Sequence, residues 1–270
     1  IQIIVKKAEQ DPAEIELSAY YKEAEGLSGA QLVAALRTIV SRNHQLHSYA
    51  TVWTILMQSD EDPNNKNKVI LFYTNRSQAK NTNGGNRDQW NREHVWPQSR
   101  GGFTTSVGPG TDVHHIKPAD VIVNAARGNN DFAMGGTFVN DYQGVPTLNR
   151  KTANTFEPYD GIKGDAARMI LYMYIRYNLP VVETTLGSGI NLGKLSTMLD
   201  WNNQDVPDTF ETRRNEIIYG YQNNRNPFID YPHLADLIWQ RATDMSHQVF
   251  SAQAKLLDAP VFSLSDWNIK

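Results

Sequence analysis

The sequence predicts an α+β chain: one mostly helical domain with a small sheet inserted near its middle. Three observations carry that expectation. Apolar residues recur at helical spacing toward both ends, as in Leu32, Leu36, Ile39 and Val40, whereas the middle lacks that period. The run VILFY at 69–73 is β-branched and aromatic and is bounded by polar clusters, the pattern of a buried strand. No internal repeat or sharp composition boundary divides the 270 residues, a length that allows one large domain.

Each element follows in order. Ser28 is placed to cap the first helix. Residues 52–58 (VWTILMQ) form a short buried segment whose type stays ambiguous. Asp60 to Lys68, with Pro63 and three Asn, reads as a polar turn before the 69–73 strand. Residues 74–92 and 97–111 are rich in Asn, Gly, Ser and Thr and read as long loops, which in a compact domain are usually functional or disordered. Thr137–Val139 adds a strand. The run DAARMILYMYIRYN after Gly164 is apolar on most faces and predicts a central buried helix, started by Gly164 and Asp165. Arg168 inside that helix needs an acidic partner. Thr209–Gln222 and His233–Thr243 predict two further amphipathic helices, and residues 252–270 a docked tail.

Composition narrows the function. Hydrophobic residues at 40% and charged residues at 20% describe a globular chain, and no apolar run reaches the roughly 18 residues of a membrane span. The absence of Cys removes disulfides, thiolate metal sites and Cys nucleophiles. The first residue is Ile rather than Met, which suggests a removed leader or a trimmed start. The net charge of −3 hides an asymmetry: residues 66–127 carry nine basic and four acidic side chains, a local +5 against −8 elsewhere. A basic stretch inside an acidic chain points to an anionic ligand held locally.

The chemistry concentrates in NREHVWPQS at 91–99 and GTDVHHIKPADVIVNAARGN at 110–129. Glu93 and His94 are flanked by apolar bulk and belong on or beside a short strand. Asp112 to Ile116 has strand character too, and Pro118 suits the first turn of a following helix. Asp120, Asn124 and Arg127 then fall at i, i+4 and i+7, on one helical face. A carboxylate and an amide oxygen are hard ligands suited to Mg²⁺ or Ca²⁺ rather than zinc. A neutral His beside such an ion can take a proton from water, and an Arg can neutralise charge building on phosphorus. That set suits phosphodiester hydrolysis. Neighbouring strand residues face opposite ways, so Glu93 and His94 meet one metal only if a bend or bulge intervenes, with Pro97 as its expected cause. His114 and His115 cannot both face the site from a strand, and His115 is taken as the nearer.

With WNREHVWPQS, DVHHIKPAD and VNAARGN in that order, then KGDAARM at 163–169 and YQNNRNPFID at 221–230, the chain resembles the endonuclease I family of secreted and periplasmic nucleases. The likeness runs from about residue 20 to 240. It implies a ββα-metal finger at about 90–130, embedded in helices beside a small antiparallel sheet. It also implies non-specific cleavage of DNA, and often RNA, by a protein exported from the cytoplasm. By the resemblance His94 is the general base, Glu93 and Asn124 hold one divalent cation, and 5′-phosphate ends result. Mg²⁺ is the expected ion, with Mn²⁺ and Ca²⁺ as alternatives. Some family members carry disulfides in this region; this chain must hold its loops by packing or ions.

Other assignments complete the expectation. Arg127 either grips the scissile phosphate or stabilises the helix end, and the first is preferred. Arg225 contacts phosphate or forms an ion pair that fixes the C-terminal helices. Trp90 and Trp96 are taken as core. No membrane and no obligate protein partner are evident. Two rivals remain: a zinc hydrolase using His94, His114 and His115, and a module that binds a polyanion without cutting it. The first lacks the paired-His helix spacing of zinc proteases.

Overall fold

The computed structural model describes residues 16–185 and 187–240. The tail expected over 252–270 and the end of the helix expected over His233–Thr243 lie outside the described residues. Among the described residues a 3-10 turn (Ala19–Ala24) leads to α1 (Gly29–Ser41) and α2 (Tyr49–Ser59). Ser28 stands at the N-cap of α1 as expected, but its side chain makes no capping bond. Ser48 does cap α2, its Oγ accepting from the Thr51 amide at 3.2 Å. The ambiguous segment 52–58 is therefore helical, with Val52, Ile55 and Leu56 on its buried side.

An antiparallel sheet follows: β1 (Glu61–Asp62), β2 (Asn65–Ile70) and β3 (Ser77–Ala79). The strand expected over 69–73 ends at Ile70. Leu71 to Tyr73 are buried but leave the ladder, because Phe72 donates its amide to the Pro118 carbonyl instead. Apolar content reported burial here and could not report hydrogen-bond direction. A ribbon of β4 (Trp90–His94) and β5 (Ile116–Asp120) comes next, with α3 (Gln98–Gly101) in the connection and α4 (Val121–Arg127) directly after. Its antiparallel register is regular from Trp90 opposite Asp120 to His94 opposite Ile116.

Two expectations are corrected in this ribbon. Residues 113–115 form a 3-10 turn rather than a strand. Pro118 lies within β5, opposite Arg92, and not in a helical first turn. Its carbonyl points outward to Phe72, so its nitrogen faces outward too, where the missing N–H breaks no ladder bond. The helix starts at Val121 because Asp120 caps it, accepting from the amides of Ile122 and Val123 at 2.9 and 3.0 Å.

Beyond α4 a four-stranded sheet has the order β6 (Asp131–Phe132), β9 (Thr155–Glu157), β8 (Pro146–Lys151), β7 (Thr137–Asn140). The strand expected at Thr137–Val139 is β7. The β6–β9 pair is parallel, as is the small pair β10 (Val181–Val182) and β11 (Leu192–Gly193). The expected central helix is α5 (Lys163–Tyr177), followed by α6 (Leu195–Gln204), α7 (Thr209–Gln222), α8 (Pro227–Asp230) and α9 (Leu234–Trp239). Gly164 lets α5 pass close to the end of α6: a Cβ there would meet the Asp205 carbonyl oxygen at 1.9 Å. Arg168 finds its acidic partner in Glu211, at 2.8 and 2.5 Å.

Two apolar clusters result. The larger surrounds α5, and the smaller joins α2, β2 and Ile218. The ribbon is pinned between them: Trp90 and Ile116 belong to the smaller, and Val95, Trp96, Ala119 and Val123 to the larger. Trp90 and Trp96 are fully buried, as expected of core. Among the described residues no helix is long and apolar enough to cross a membrane.

Candidate active site

The regular register means that alternation along β4 is undisturbed, and no bulge turns Glu93 and His94 to one side. The bend expected there is absent, and the two side chains divide. Asn91 and Glu93 face α4. Trp90, Arg92 and His94 face α2.

On the α4 side, Glu93 is buried and its Oε1 accepts from the Tyr73 hydroxyl at 2.7 Å. Arg127 Nε lies 3.3 Å from the same oxygen. Burial pushes the Glu93 carboxyl above its ordinary pKa, opposed by the Arg127 charge and the Tyr73 hydrogen bond. Asn124 lies one helical turn beyond the Asp120 cap and donates its NH₂ to Asn91 Oδ1 at 2.7 Å. That bond leaves the Asn124 amide oxygen as its free end. Among the described residues no side chain bonds Glu93 Oε2 or Asn124 Oδ1.

These two oxygens fit a hard divalent cation. Among the described residues no three His, Asp or Glu side chains come together as a protein-only metal cage would need. A cation here would rest on two protein oxygens and keep its other positions for water and phosphate. The zinc alternative finds no support in the histidines. His94, His114 and His115 each hold a different backbone carbonyl, those of Gly110, Asn224 and Pro109 at 3.0, 3.0 and 2.7 Å.

On the α2 side, His94 is buried and its ring stacks on Tyr49, with centroids 5.8 Å apart. Its Nε2–H donates to the Gly110 carbonyl, which fixes the tautomer and leaves Nδ1 as the basic nitrogen. The Gln98 amide lies 3.3 Å from Nδ1. Gly110 permits this contact, since a Cβ there would strike the Thr104 carbonyl oxygen at 1.6 Å. Burial lowers the His94 pKa and Arg92 lowers it further, against the Gly110 hydrogen bond, so the ring is neutral near pH 7. Tyr49 stacks its ring on His94, and burial, opposed by the Arg92 charge, raises its hydroxyl pKa above the ordinary value.

The other expected residues fall elsewhere. Arg127 is fully buried and gives Nη1 to the carbonyls of Gly128 and Asn130 and Nη2 to that of Val95, at 2.8–2.9 Å. Its guanidinium is a strut behind Glu93 and offers nothing to a phosphate arriving from solvent, so the helix-end reading fits it better than the phosphate reading preferred from sequence. His115 is buried with its ring 5.6 Å from that of His94, while His114 turns away to Tyr172. Burial lowers their pKa values to about 3 and about 4, respectively. Arg225 pairs with Asp230 and Glu216, the ion pair weighed from sequence, between α7 and α8. An open cleft of about 740 Å³ begins at Ala125 beside Asn124 and runs along α4 to Lys151.

Sequence reasoning missed Tyr73, Asn91, Tyr49, Gln98 and Gly110. Asn91 carried a signal, since it shares strand parity with Glu93. Gln98, four residues past His94, carried a weaker one. Tyr73, Tyr49 and Gly110 are 16 to 45 residues from their partners, too far for any local pattern to register.

Comparison with known proteins gives the family. Residues 28–233 match the model of the Endonuclease I family. Over 233 residues the chain is 52% identical to an extracellular ribonuclease of Bacillus amyloliquefaciens and, equally, to one of Bacillus subtilis strain 168. Each match covers 83% of this chain and 79% of the relative.

Proposed function

We propose that this chain, which belongs to the Endonuclease I family and is a nuclease hydrolysing phosphodiester bonds, cuts RNA and DNA with little regard to sequence. His94 is the general base, and Glu93 with Asn124 holds one divalent cation. The observation that carries this reading is the pair of oxygens left without side-chain partners where β4 meets α4, Glu93 Oε2 and Asn124 Oδ1, next along the strand to a neutral imidazole whose tautomer Gly110 fixes.

His94 Nδ1 accepts a proton as water adds to phosphorus, while Gly110 keeps Nε2 protonated and the ring aligned. The new bond joins water oxygen to phosphorus. The bond that breaks joins phosphorus to the 3′ oxygen, which leaves a 5′-phosphate and a 3′-hydroxyl. A divalent cation bound at Glu93 and Asn124 supplies Lewis-acid neutralisation of charge on phosphate and leaving oxygen; Mg²⁺ suits the donors, and Mn²⁺ and Ca²⁺ are alternatives. Tyr73 and Arg127 hold the Glu93 carboxylate in place. Contacts of this kind address backbone phosphates and carry no sequence information. Both relatives are named extracellular ribonucleases, which supports RNA as a substrate and secretion of this protein.

The test is digestion of labelled RNA and of plasmid DNA in EDTA, Mg²⁺, Mn²⁺ and Ca²⁺, with mapping of the ends. Metal-dependent cleavage of both substrates to 5′-phosphate ends is expected. Metal-independent cleavage, or 3′-phosphate ends, would overturn the chemistry.

A further inference from the structure

Arg127 is buried behind Glu93, away from a phosphate arriving from solvent. Most cations that flank the ribbon are already neutralised. Arg76 pairs with Asp120 and Asp141, Arg100 with Asp131, and Lys117 and Arg214 with Asp60. Arg92 differs. It stands two residues before His94 on the same strand face, a separation of about 7 Å along the strand. Among the described residues it forms no ion pair with any carboxylate.

Its guanidinium carbon lies over two rings of α2, 3.4 Å from the centroid of Tyr49 and 4.1 Å from that of Trp53. Nη1 donates to the Tyr49 carbonyl at 2.5 Å. Nε is buried with no hydrogen-bond partner, and among the described residues nothing bonds Nη2. A half-buried guanidinium held rigid on two aromatic faces, with donors unspent and no counter-ion, is prepared for an anion it does not yet hold. Tyr49 also stacks on His94, so one ring sets the positions of both side chains.

We propose that Arg92 is a substrate-binding residue, gripping a backbone phosphate of the bound nucleic-acid strand beside His94. The proposal rests on the nuclease reading above. The Tyr49 and Trp53 rings are its mount, and the contact is made in the ground state, so its removal raises KM more than it lowers kcat.

The test measures binding without turnover. Affinity of the whole protein for a fluorescein-labelled single-stranded RNA, and for the DNA of the same sequence, is followed against salt in EDTA. Arg92→Met should weaken binding roughly tenfold at low salt. It should also reduce the slope of log affinity against log salt by about 0.7, the share of one phosphate contact on a single strand. Arg92→Lys keeps the charge and should keep the slope, while losing affinity because an ammonium lacks the planar, multidentate donors of a guanidinium. An unchanged slope in Arg92→Met overturns the proposal even if its activity falls, since that pattern marks a packing role. Loss of slope in Arg92→Lys as well would also overturn it. These results leave the nuclease reading standing, which fails separately if the wild type does not cleave. Absence of salt-dependent binding by the wild-type protein would sink both.

Discussion

Two buried polar clusters flank the turn that leads into β5, and they are built oppositely. Around Asp112 the donors converge and close. The carboxylate accepts from the His114 amide at 3.0 Å, from Gln222 at 2.9 Å and from the hydroxyls of Tyr172 and Tyr177 at 2.7 and 2.9 Å. Burial alone would raise its pKa, but His44, His114 and these hydrogen bonds outweigh that and hold it well below the ordinary range. Around Glu93 and His94 the donors and acceptors are left partly unspent: Glu93 Oε2, Asn124 Oδ1 and the Arg92 guanidinium. A satisfied buried network rigidifies a fold, whereas unspent groups in a low-dielectric site await a ligand. Burial is common to both clusters; the Asp112 carboxylate has partners on both oxygens, and the Glu93 carboxylate has side-chain partners on one.

The sharpest way to break this contrast is to delete one group from each cluster. His94→Ala should lower cleavage by roughly 10²–10⁴-fold, the usual worth of a general base, with little change in melting temperature. Asp112→Ala should do the reverse. It strands two tyrosine hydroxyls and an amide inside the core, and a loss of about 3–5 kcal/mol in denaturant unfolding is expected, with activity per folded molecule largely kept. A stable Asp112→Ala protein without activity would show that the closed cluster belongs to the site.

Smaller changes sharpen the same distinction. Asn124→Ala should raise the Mg²⁺ concentration for half-maximal rate, and an unchanged titration would remove it from the ligand set. Tyr73→Phe removes only the hydroxyl that orients Glu93, so a rise in that Mg²⁺ concentration of roughly tenfold, smaller than for Asn124→Ala, is expected.

Acid should separate the clusters as well. His114 and His233 have folded pKa values of about 4, lowered by burial from 6.5. The unfolded chain therefore binds more protons between those values. The stability they contribute is present above about pH 6.5 and is lost as pH falls toward 4. His94 is also held below 6.5, so the acid limb of kcat/KM should lie below that pH. An acid limb above 6.5 would argue against a neutral, buried His94 as the base.

Much of the architecture was readable because helical and strand periods are local. Thr209–Gln222 and the buried helix after Gly164 stand where their patterns put them, and the order of Glu93, His94 and Asn124 announced hydrolytic chemistry. The misreadings share one cause. VILFY loses its second half to a turn because Phe72 finds the Pro118 carbonyl 46 residues away. Pro118 sits in a strand because its nitrogen faces away from the ladder, and residue type cannot report that direction.

Chain composition and spacing thus determined the long helices, the buried apolar runs and which side chains could do chemistry. Tertiary structure decided their partners. It set Arg127 behind Glu93 rather than before a phosphate, and it joined Tyr73 to Glu93, Gly110 to His94 and Gln222 to Asp112. Periodicity is a property of a few neighbouring residues. Whether a buried polar group ends up satisfied or unspent depends on contacts 16 to 110 residues away, and those exist only once the chain has closed on itself.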